Sequence, residues 1–256
     1  MRGRNLPLLP AVVVPTAERG LLESTAIVRV SIVIPQHNRS ELTVNAVRSL
    51  LEFHERSFEI LIVDDGSSGK HRTALRNLRG TGVHFVLSHC RRGVTAAWNL
   101  GAAAASGETL VFLNNDTVSE GPWVEQLVSP LATDDVLMTG VEVRREPLAQ
   151  SRSFDQLLAG WGFALRRDVL LRMGGFDPQL KLYFSDTDLQ FRIAQQGPLI
   201  TGVSLDKSSH GLSAQLRVVE GLPLRHLGHC STRQLSSRSA EWRRDRCVFC
   251  RKWQIG

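Results

Sequence analysis

Side chains able to bind a cation or move a proton fall in three acidic motifs of this sequence. The first is the adjacent pair Asp64-Asp65, the second is Asp116 after two asparagines, and the third is Asp186. Carboxylate oxygens suit hard cations such as Mg²⁺ and Mn²⁺, and a carboxylate on a rigid element can act as a general base. Each motif alone is equally typical of a plain turn or a helix N-cap, so its chemistry depends on what the fold brings together.

A histidine is the fourth candidate, because His210 lies in the run His210-Gly211-Leu212-Ser213. A lone histidine is more often structural than a ligand, yet neutral imidazole is also a common metal ligand. In a site that already holds Asp116, His210 becomes a candidate second metal ligand.

The elements that must position these motifs alternate between strands and helices. Short apolar, β-branched runs predict buried strands at residues 28–34, 58–63, 83–87 and 109–113. Helical spacing of apolar residues predicts a helix that begins at Ser40 and another over residues 94–105. This order is typical of parallel βαβ units in a doubly wound sheet, where ligands bind at the carboxyl ends of the strands. The first two acidic motifs lie at such ends.

The second half of the chain has a weaker pattern. It predicts a strand over residues 160–165, a short helix over 167–173, a helix over 185–196, a strand near 199–203 and a basic amphipathic helix over 239–253. In the helix that begins at Ser185, Asp188 precedes Arg192 by four residues, which predicts an i,i+4 ion pair.

Charge is concentrated at the carboxyl end of the sequence. The net charge of the chain is +6. The segment from Arg217 onward contains nine Lys/Arg and three acidic residues, so it carries the whole of this excess. A basic region can meet a phosphorylated ligand or an anionic membrane surface. We expect no nucleic-acid partner, because no aromatic residues alternate with these charges in a base-stacking pattern. Apolar runs are too short for a membrane span, and residues 1–27 are predicted to be a flexible leader rather than a secretory signal.

The four cysteines are too few to cross-link a chain of 256 residues, so reduced thiols in a cytoplasm are expected. Cys230, Cys247 and Cys250, with His226 or His229, superficially fit a structural Zn²⁺ site. The alternative is favoured, in which Cys247 and Cys250 lie in one helix and pack inward.

Taken in order, the motifs resemble those of the bacterial family 2 glycosyltransferases. The series is VSIVIPxxNR, VDDGS, Asn99-x-Gly101, SGE followed by FLNND, GGFD, SDTDLQFR and HG-x-S, and it covers residues 28–213. The rhamnosyltransferase-like branch is the most similar. The resemblance implies an α/β fold of the GT-A type, with a Rossmann-like, mostly parallel central sheet flanked by helices and a basic C-terminal helical extension. We expect a catalytic domain over residues 28–215, divided near residue 118 into nucleotide-binding and acceptor halves, and the extension over 216–256 packed on it.

The resemblance also implies a role for each matching position. Nucleotide contacts fall on Pro35, His37, Asn38, Asp64, Asp65 and Asn115, and metal ligands fall on Asp116 and His210. Asp186 takes the position of the catalytic base, and Trp161, Gly162, Ser185 and Asp188 are assigned to the acceptor or sugar pocket. Two positions depart from the family pattern, since Asn114 and Ser185 stand where a first carboxylate and a Glu are usual.

The implied activity is inverting transfer of a sugar from a nucleotide-diphosphate donor, with Mg²⁺ or Mn²⁺ as cofactor. dTDP-rhamnose or a UDP-hexose is the expected donor, and a glycan or lipid-linked hydroxyl in surface polysaccharide synthesis is the expected acceptor. The expected location is the cytoplasm, with peripheral contact to an anionic membrane. Two alternatives stay open at this point, a nucleotidyltransferase and a non-catalytic nucleotide-sugar-binding module. Pro35–Arg39 is not the Gly-rich, Lys-containing loop of the former, whereas Asn114 and Ser185 would suit the latter.

Overall fold

The computed structural model describes residues 30–53, 58–78, 82–146, 148, 156–201, 212–228 and 236–255, with the backbone alone for 197–201. The strands are β1 (Val30–Gln36), β2 (Phe58–Asp65), β3 (Val83–Ser88), β4 (Thr109–Leu113), β5 (Thr117–Ser119), β6 (Met138–Gly140), β7 (Val143–Arg145), β8 (Gln156–Leu158), β9 (Gly162–Arg166), β10 (Leu216–Val218) and β11 (Leu224–His226). The α-helices are α1 (Ser40–Phe53), α2 (Gly69–Ala74), α3 (Val94–Ala104), α4 (Val124–Val128), α5 (Arg167–Arg172), α6 (Ser185–Thr201) and α7 (Arg238–Trp253).

Seven of these strands form a central sheet in the order β10-β6-β9-β4-β1-β2-β3. The pairs β1–β2, β2–β3 and β1–β4 are parallel, as the βαβ pattern predicted, whereas β9 runs antiparallel to both β4 and β6. The order of strands reverses between β1 and β4. A crevice opens at such a switch point, at the carboxyl ends of the two strands. The strand order therefore fixes where a ligand can enter.

Alternate residues of the buried strands supply the two faces of this sheet, since side chains in a strand point to opposite sides in turn. Ile32 and Ile34 join the core beneath α1, and Val33 joins the core beneath α3. Helix α3 lies close to the sheet because position 101 is a glycine. A Cβ atom there would lie 2.3 Å from Cγ1 of Val33, so any larger residue would push the helix outward.

Two of the sequence motifs, Asn99-x-Gly101 on α3 and the GGFD motif that contains Phe176, hold the second half of the chain to the first. The side chain of Asn99 donates to the carbonyl oxygen of Phe176 at 2.9 Å and accepts from its N–H at 2.9 Å. Phe176 packs against Trp98 and Phe112 in the core. These residues are therefore structural, and they set the position of the segment that leads into α6.

Helix α7 packs on α6 through a third apolar cluster that includes Phe184, Phe191 and Phe249. Asp245 on α7 is fully buried, and its Oδ2 accepts N–H bonds from Lys181, Leu182 and Tyr183 at 3.2, 2.8 and 3.0 Å. The carboxyl-terminal helix therefore fixes the backbone immediately before α6.

One predicted element is wrong. Residues 199–201 of the strand expected near 199–203 belong to α6, and 202–203 lie outside the described residues. The β-branched residues there predicted a strand, but the helical hydrogen bonding that begins at Ser185 continues through them and overrides that weak local propensity. No helix in the described part of the chain is both long and apolar enough to cross a membrane.

Candidate active site

A cleft of about 750 Å³ opens at the carboxyl ends of β1 and β4. Its lining contains seven of the predicted site residues or their neighbours in the motifs, namely Pro35, His37, Asp65, Asn114, Asn115, Trp161 and Asp186. The end of β2, the loop after β4 and the start of α6 thus meet in one cavity. These three segments are distant in sequence, and the candidate chemistry needs their side chains to lie close together.

Asp65 is held in the cleft lining by the loop before α3. Its two carboxylate oxygens accept N–H bonds from Arg92 at 2.7 Å and from Gly93 at 2.8 Å. Burial raises the pKa of this carboxyl above its usual range, against the opposing effect of these N–H bonds and of the neighbouring His37 and Arg91. Each oxygen keeps a second lone pair that can accept a hydrogen bond from a ligand.

His37 is held by the same turn, because its Nδ1 lies 2.7 Å from the carbonyl oxygen of Asp65. A carbonyl can only accept, so Nδ1 carries the proton and Nε2 is an acceptor. The amide Nδ2 of Asn38, 3.2 Å from Nε2, is consistent with this tautomer. His37 and Pro35 both line the cleft.

Two of the predicted nucleotide contacts lie outside the cleft lining and hold loops instead. Asp64 is fully buried, and its Oδ1 accepts the N–H of Ser67 at 2.7 Å. Asn38 has a φ of 52°, and its Oδ1 accepts the N–H of Ser68 at 3.0 Å. For these two positions the interpretation as a capped turn fits better than a ligand contact.

The loop after β4 places Asp116 behind His226, outside the cleft lining. Asp116 is fully buried, and its Oδ1 lies 3.2 Å from Nε2 of His226, which lines the cleft. β11 delivers His226 by pairing with β5, where His226 lies opposite Thr117. The indole ring of Trp161 stacks on the imidazole, with 4.9 Å between centroids and 8° between planes. Asn115 lies beside this pair and donates to Thr43 Oγ1 at 3.0 Å.

Asp116 and His226 fit part of a divalent-metal site. Two ligand atoms about 2.1 Å from an octahedral ion and at right angles to each other are roughly 3 Å apart. The separation of 3.2 Å between Oδ1 and Nε2 matches this geometry. Within the described residues, no group of three metal-ligating side chains forms. Two protein ligands would leave the other positions of a six-coordinate ion for a diphosphate and water. His210 lies outside the described residues.

Asp186, in the first turn of α6, faces the cleft with its carboxylate held by Arg144 on β7. Nη2 of Arg144 lies 3.3 Å from Oδ2 of Asp186 and 2.7 Å from Oγ1 of Thr187. Burial works against the charge of this guanidinium, but the carboxylates of Asp186 and Glu146 raise the pKa of Arg144 above its ordinary value. Gly160 leaves the space for the carboxylate, since a Cβ there would lie 2.5 Å from Oδ2.

Three residues assigned to the sugar pocket lie outside the cleft lining. Gly162 pairs with Leu113 inside the sheet, and Ser185 is buried in contact with Thr95. Asp188 is fully buried and bonds to Arg192 at 2.8 Å, as the i,i+4 spacing predicted, and also to Lys252 and the Trp253 indole. We correct these assignments, because Gly162 is part of the sheet, Ser185 faces α3 and Asp188 faces α7.

The structure adds residues that sequence reasoning missed. Arg144 and Glu142 come from a region with no recognisable motif, and Trp242 and Arg246 reach the cleft from α7. His226 was considered only as a zinc ligand, although its position relative to Asp116 was not visible in the sequence. Cys247 is exposed, so the expectation that both cysteines of α7 pack inward is wrong for Cys247, whereas Cys250 is half-buried. Cys230 and His229 lie outside the described residues. His226 contacts Asp116 through Nε2, and no zinc site forms among the described residues.

The fold places the protein in a defined structural class. It is similar to a mannosyltransferase from Pyrobaculum calidifontis in complex with GDP-Man and Mn²⁺, with a TM-score of 0.60 and 20% identity over 89% of this chain and 65% of that one. It is also similar to GalNAc-T7 with UDP, GalNAc and Mn²⁺, with a TM-score of 0.59 and 19% identity over 79% of this chain and 44% of that one. The architecture is thus the GT-A fold.

Sequence comparison defines the family within that class. The model of glycosyl transferase family 2 matches residues 31–188, and the chain belongs to this family. An uncharacterized glycosyltransferase from Nostoc is 30% identical over 43% of this chain and 34% of its own length. The O-antigen biosynthesis protein RfbC from Myxococcus xanthus is 26% identical over 74% of this chain and 18% of its own. The chain therefore spans about a third or less of these two curated relatives.

Proposed function

We propose that this chain is a metal-dependent, inverting glycosyltransferase acting on a nucleotide-diphosphate sugar. The observation that carries the proposal is the convergence of Asp65, Asp186 and His226 on one cleft, with Asp116 in contact with His226. A nucleotide site, a cation site and a carboxylate base are the three parts that such a transfer needs. Family membership supports glycosyl transfer, and the Mn²⁺ bound by two structural neighbours supports the use of a divalent cation.

Asp186 is the proposed base. Its carboxylate accepts the proton of the acceptor hydroxyl while that oxygen forms a bond to the anomeric carbon. The bond between the anomeric carbon and the donor phosphate oxygen breaks on the opposite face, and the nucleoside diphosphate leaves with the electron pair. A single displacement inverts the anomeric configuration. Arg144 holds the Asp186 carboxylate in a fixed orientation during this step, which is the contribution a positioning residue makes.

Asp116 and His226 are the proposed metal ligands, with Asn115 beside them and His210 retained as a predicted ligand. A bound Mn²⁺ or Mg²⁺ supplies neutralisation of the charge that develops on the departing diphosphate. On the nucleotide side, we assign Asp65 and His37 to the base or ribose, because both line the cleft and each Asp65 oxygen keeps a second lone pair that can accept from a ligand.

The proposed donor is dTDP-rhamnose or a UDP-hexose, and the proposed acceptor is a hydroxyl of a glycan or lipid-linked intermediate in surface polysaccharide synthesis. The similarity to an O-antigen biosynthesis protein supports this process. A relative from Campylobacter jejuni, 29% identical over 34% of this chain and 29% of its own length, is a glucosyltransferase whose substrate name includes PP-undecaprenol. Such an acceptor places the reaction at the cytoplasmic face of a membrane.

The first experiment is a thermal-shift screen of nucleotide sugars with and without Mn²⁺. A ligand that binds the native state raises the midpoint by mass action, and a ligand at about 100 times its Kd contributes roughly 2.7 kcal/mol. The donor selected in this way is then tested for transfer and hydrolysis, and NMR of the product reports the anomeric configuration. A retained configuration, or full activity in EDTA, would overturn the corresponding part of the proposal. Absence of any donor-dependent activity would favour the non-catalytic binding module.

A further inference from the structure

The exposed face of α7 carries a second hollow of about 370 Å³. Three guanidinium groups line it, those of Arg243, Arg246 and Arg251, together with the indole of Trp242 and the side chain of Ile255. Trp242 keeps 43% of its surface exposed, which is unusual for a large aromatic side chain. This surface, called here the α7 hollow, combines positive charge with exposed apolar area.

The three arginines of the α7 hollow differ in their ion pairing from the other basic groups on and near this helix. Arg244 is paired with Asp245, and Lys252 bonds to Asp177 at 2.6 Å and to Asp188 at 2.8 Å. By contrast, Arg243, Arg246 and Arg251 form no ion pair with any carboxylate in the described ranges. No described carboxylate compensates their charge, which equals half of the excess of +6 carried from Arg217 onward.

The α7 hollow continues the candidate active site rather than standing apart from it. Trp242 and Arg246 line both the hollow and the large cleft, and Arg246 lies over the indole ring at 5.9 Å from its centroid. Arg243, Arg251 and Ile255 lie beyond these two, outside the cleft lining. An elongated molecule can therefore occupy the cleft with one end and the hollow with the other.

We propose that the α7 hollow binds the phosphate or diphosphate of an acceptor in which that group joins the sugar to an apolar chain. Guanidinium groups bind phosphate oxygens in a bidentate manner, so Arg243, Arg246 and Arg251 hold the anionic part. Trp242 and Ile255 contact the first carbons of the chain. The terminal sugar of the acceptor then lies in the cleft near Asp186. This inference rests on the proposed transferase function, whose acceptor class it defines.

The test is direct binding of farnesyl diphosphate, a soluble molecule that has both the anionic and the apolar part. Calorimetric titration compares the wild-type chain with the double variant Arg243→Gln/Arg251→Gln, whose altered residues lie outside the cleft. The control is Arg48→Gln/Arg76→Gln, which removes the same charge from two exposed arginines that form no ion pair with described carboxylates. Farnesol, inorganic pyrophosphate and phosphatidylcholine vesicles with and without phosphatidylglycerol are titrated alongside.

We expect the double variant to bind farnesyl diphosphate at least about tenfold more weakly than the wild type and the control, with unchanged thermal midpoints. Farnesol and pyrophosphate should each bind more weakly than farnesyl diphosphate. Equal binding by all three proteins, or no binding by the wild type, would overturn the inference. Binding to phosphatidylglycerol vesicles that depends on Arg243 and Arg251, without binding of farnesyl diphosphate, would identify a membrane-charge surface instead. Donor hydrolysis by the wild type is measured separately, and its failure would count against the transferase proposal alone.

Discussion

Asp186 and Arg144 approach the cleft from different elements and meet within 3.3 Å. His226 and Asp116 do the same on the other side, 110 residues apart in sequence. In the first pair both side chains line the cleft, whereas in the second His226 lines it and Asp116 is buried behind it. At the scale of single residues, the candidate chemistry therefore depends on pairs of side chains rather than on one residue alone.

Replacement of Asp186 with Asn tests the base. The amide cannot accept the hydroxyl proton, so we expect sugar transfer to fall by about 10²-fold or more while donor binding persists. The fully exposed carboxylate Asp134 supplies the control, and Asp134→Asn should behave as the wild type. Transfer rates and donor titrations would be measured on both, and unimpaired turnover by the Asp186 variant would refute its role.

Replacement of Arg144 with Gln tests positioning. Because the guanidinium orients Asp186 without facing a reacting atom in the proposed step, we expect kcat to fall by up to about 10²-fold with little change in the donor KM. Arg144→Lys keeps a positive charge and should recover part of the activity. Arg145→Gln, at the exposed neighbouring position of β7, is the matched control. If the Gln and Lys variants both show a higher donor KM together with a lower kcat, the substitutions disrupt the local structure instead.

Replacement of His226 with Ala tests the cation site. Loss of one ligand should raise the Mn²⁺ concentration for half-maximal activity by at least about tenfold. Exposed His89 provides the comparison, since His89→Ala removes an imidazole that does not line the cleft. An unchanged Mn²⁺ requirement in the His226 variant would leave Asp116 and the predicted His210 as the remaining candidates.

At the scale of elements, α7 determines how α6 is presented to the cleft. Asp188 and Asp245, both fully buried, join the two helices and the backbone between residues 181 and 183. Tyr183 and Phe184 at the end of that segment line the cleft, and Phe184 has a φ of 65°. The helix that carries the uncompensated arginines thus also supports the segment leading into the proposed base.

Replacement of Asp245 with Ala should lower the free energy of unfolding by roughly 3 kcal/mol, because three N–H groups lose a charged acceptor in a buried position. Asp245→Asn should cost less, since its amide oxygen can still accept. Urea unfolding of both variants and of Asp134→Ala would check this order. Equal stability of all three would show that the segment before α6 is held by other contacts.

At the scale of the whole molecule, the two ends of the central strands have different roles. The cleft lies at the carboxyl ends of the strands, whereas polar bonds around Glu59 hold the amino ends together. Its Oε1 accepts from Ser31 Oγ at 2.6 Å and from the N–H and Oγ of Ser106 at 2.5 and 2.8 Å. Burial opposes the charge, but these bonds lower the pKa of the Glu59 carboxyl below its usual value.

Replacement of Glu59 with Gln should therefore reduce stability without affecting donor binding. A depressed folded-state pKa gives stability that is present above the unfolded value of about 4.3 and is lost as pH falls through the folded value. We expect a loss of about 1–2 kcal/mol at neutral pH that diminishes below about pH 4. Urea unfolding at several pH values would measure it, and a difference that grows on acidification would contradict this assignment.

The sequence by itself determined the alternation of strands and helices, the parallel first half of the sheet and the family. These features are local, because side-chain periodicity and short motifs are encoded within a few residues of each other. The same reasoning placed Asp65, Asn115 and Asp186 at strand or helix ends that proved to share a cavity. The domain boundaries and the roles of these residues stay predictions.

Tertiary structure alone decided which residues complete each pair. Asp116 meets His226 because β11 pairs with β5, and Asp186 meets Arg144 because β7 lies beside the start of α6. No sequence spacing encodes these contacts, since they depend on long-range strand pairing. Tertiary structure also decided the position of Asp188. The motif suggested that Asp188 faces the cleft, but its carboxylate bonds to Lys252 and Trp253 on α7 instead. Packing of whole elements, rather than local propensity, selects the partner of each charged group.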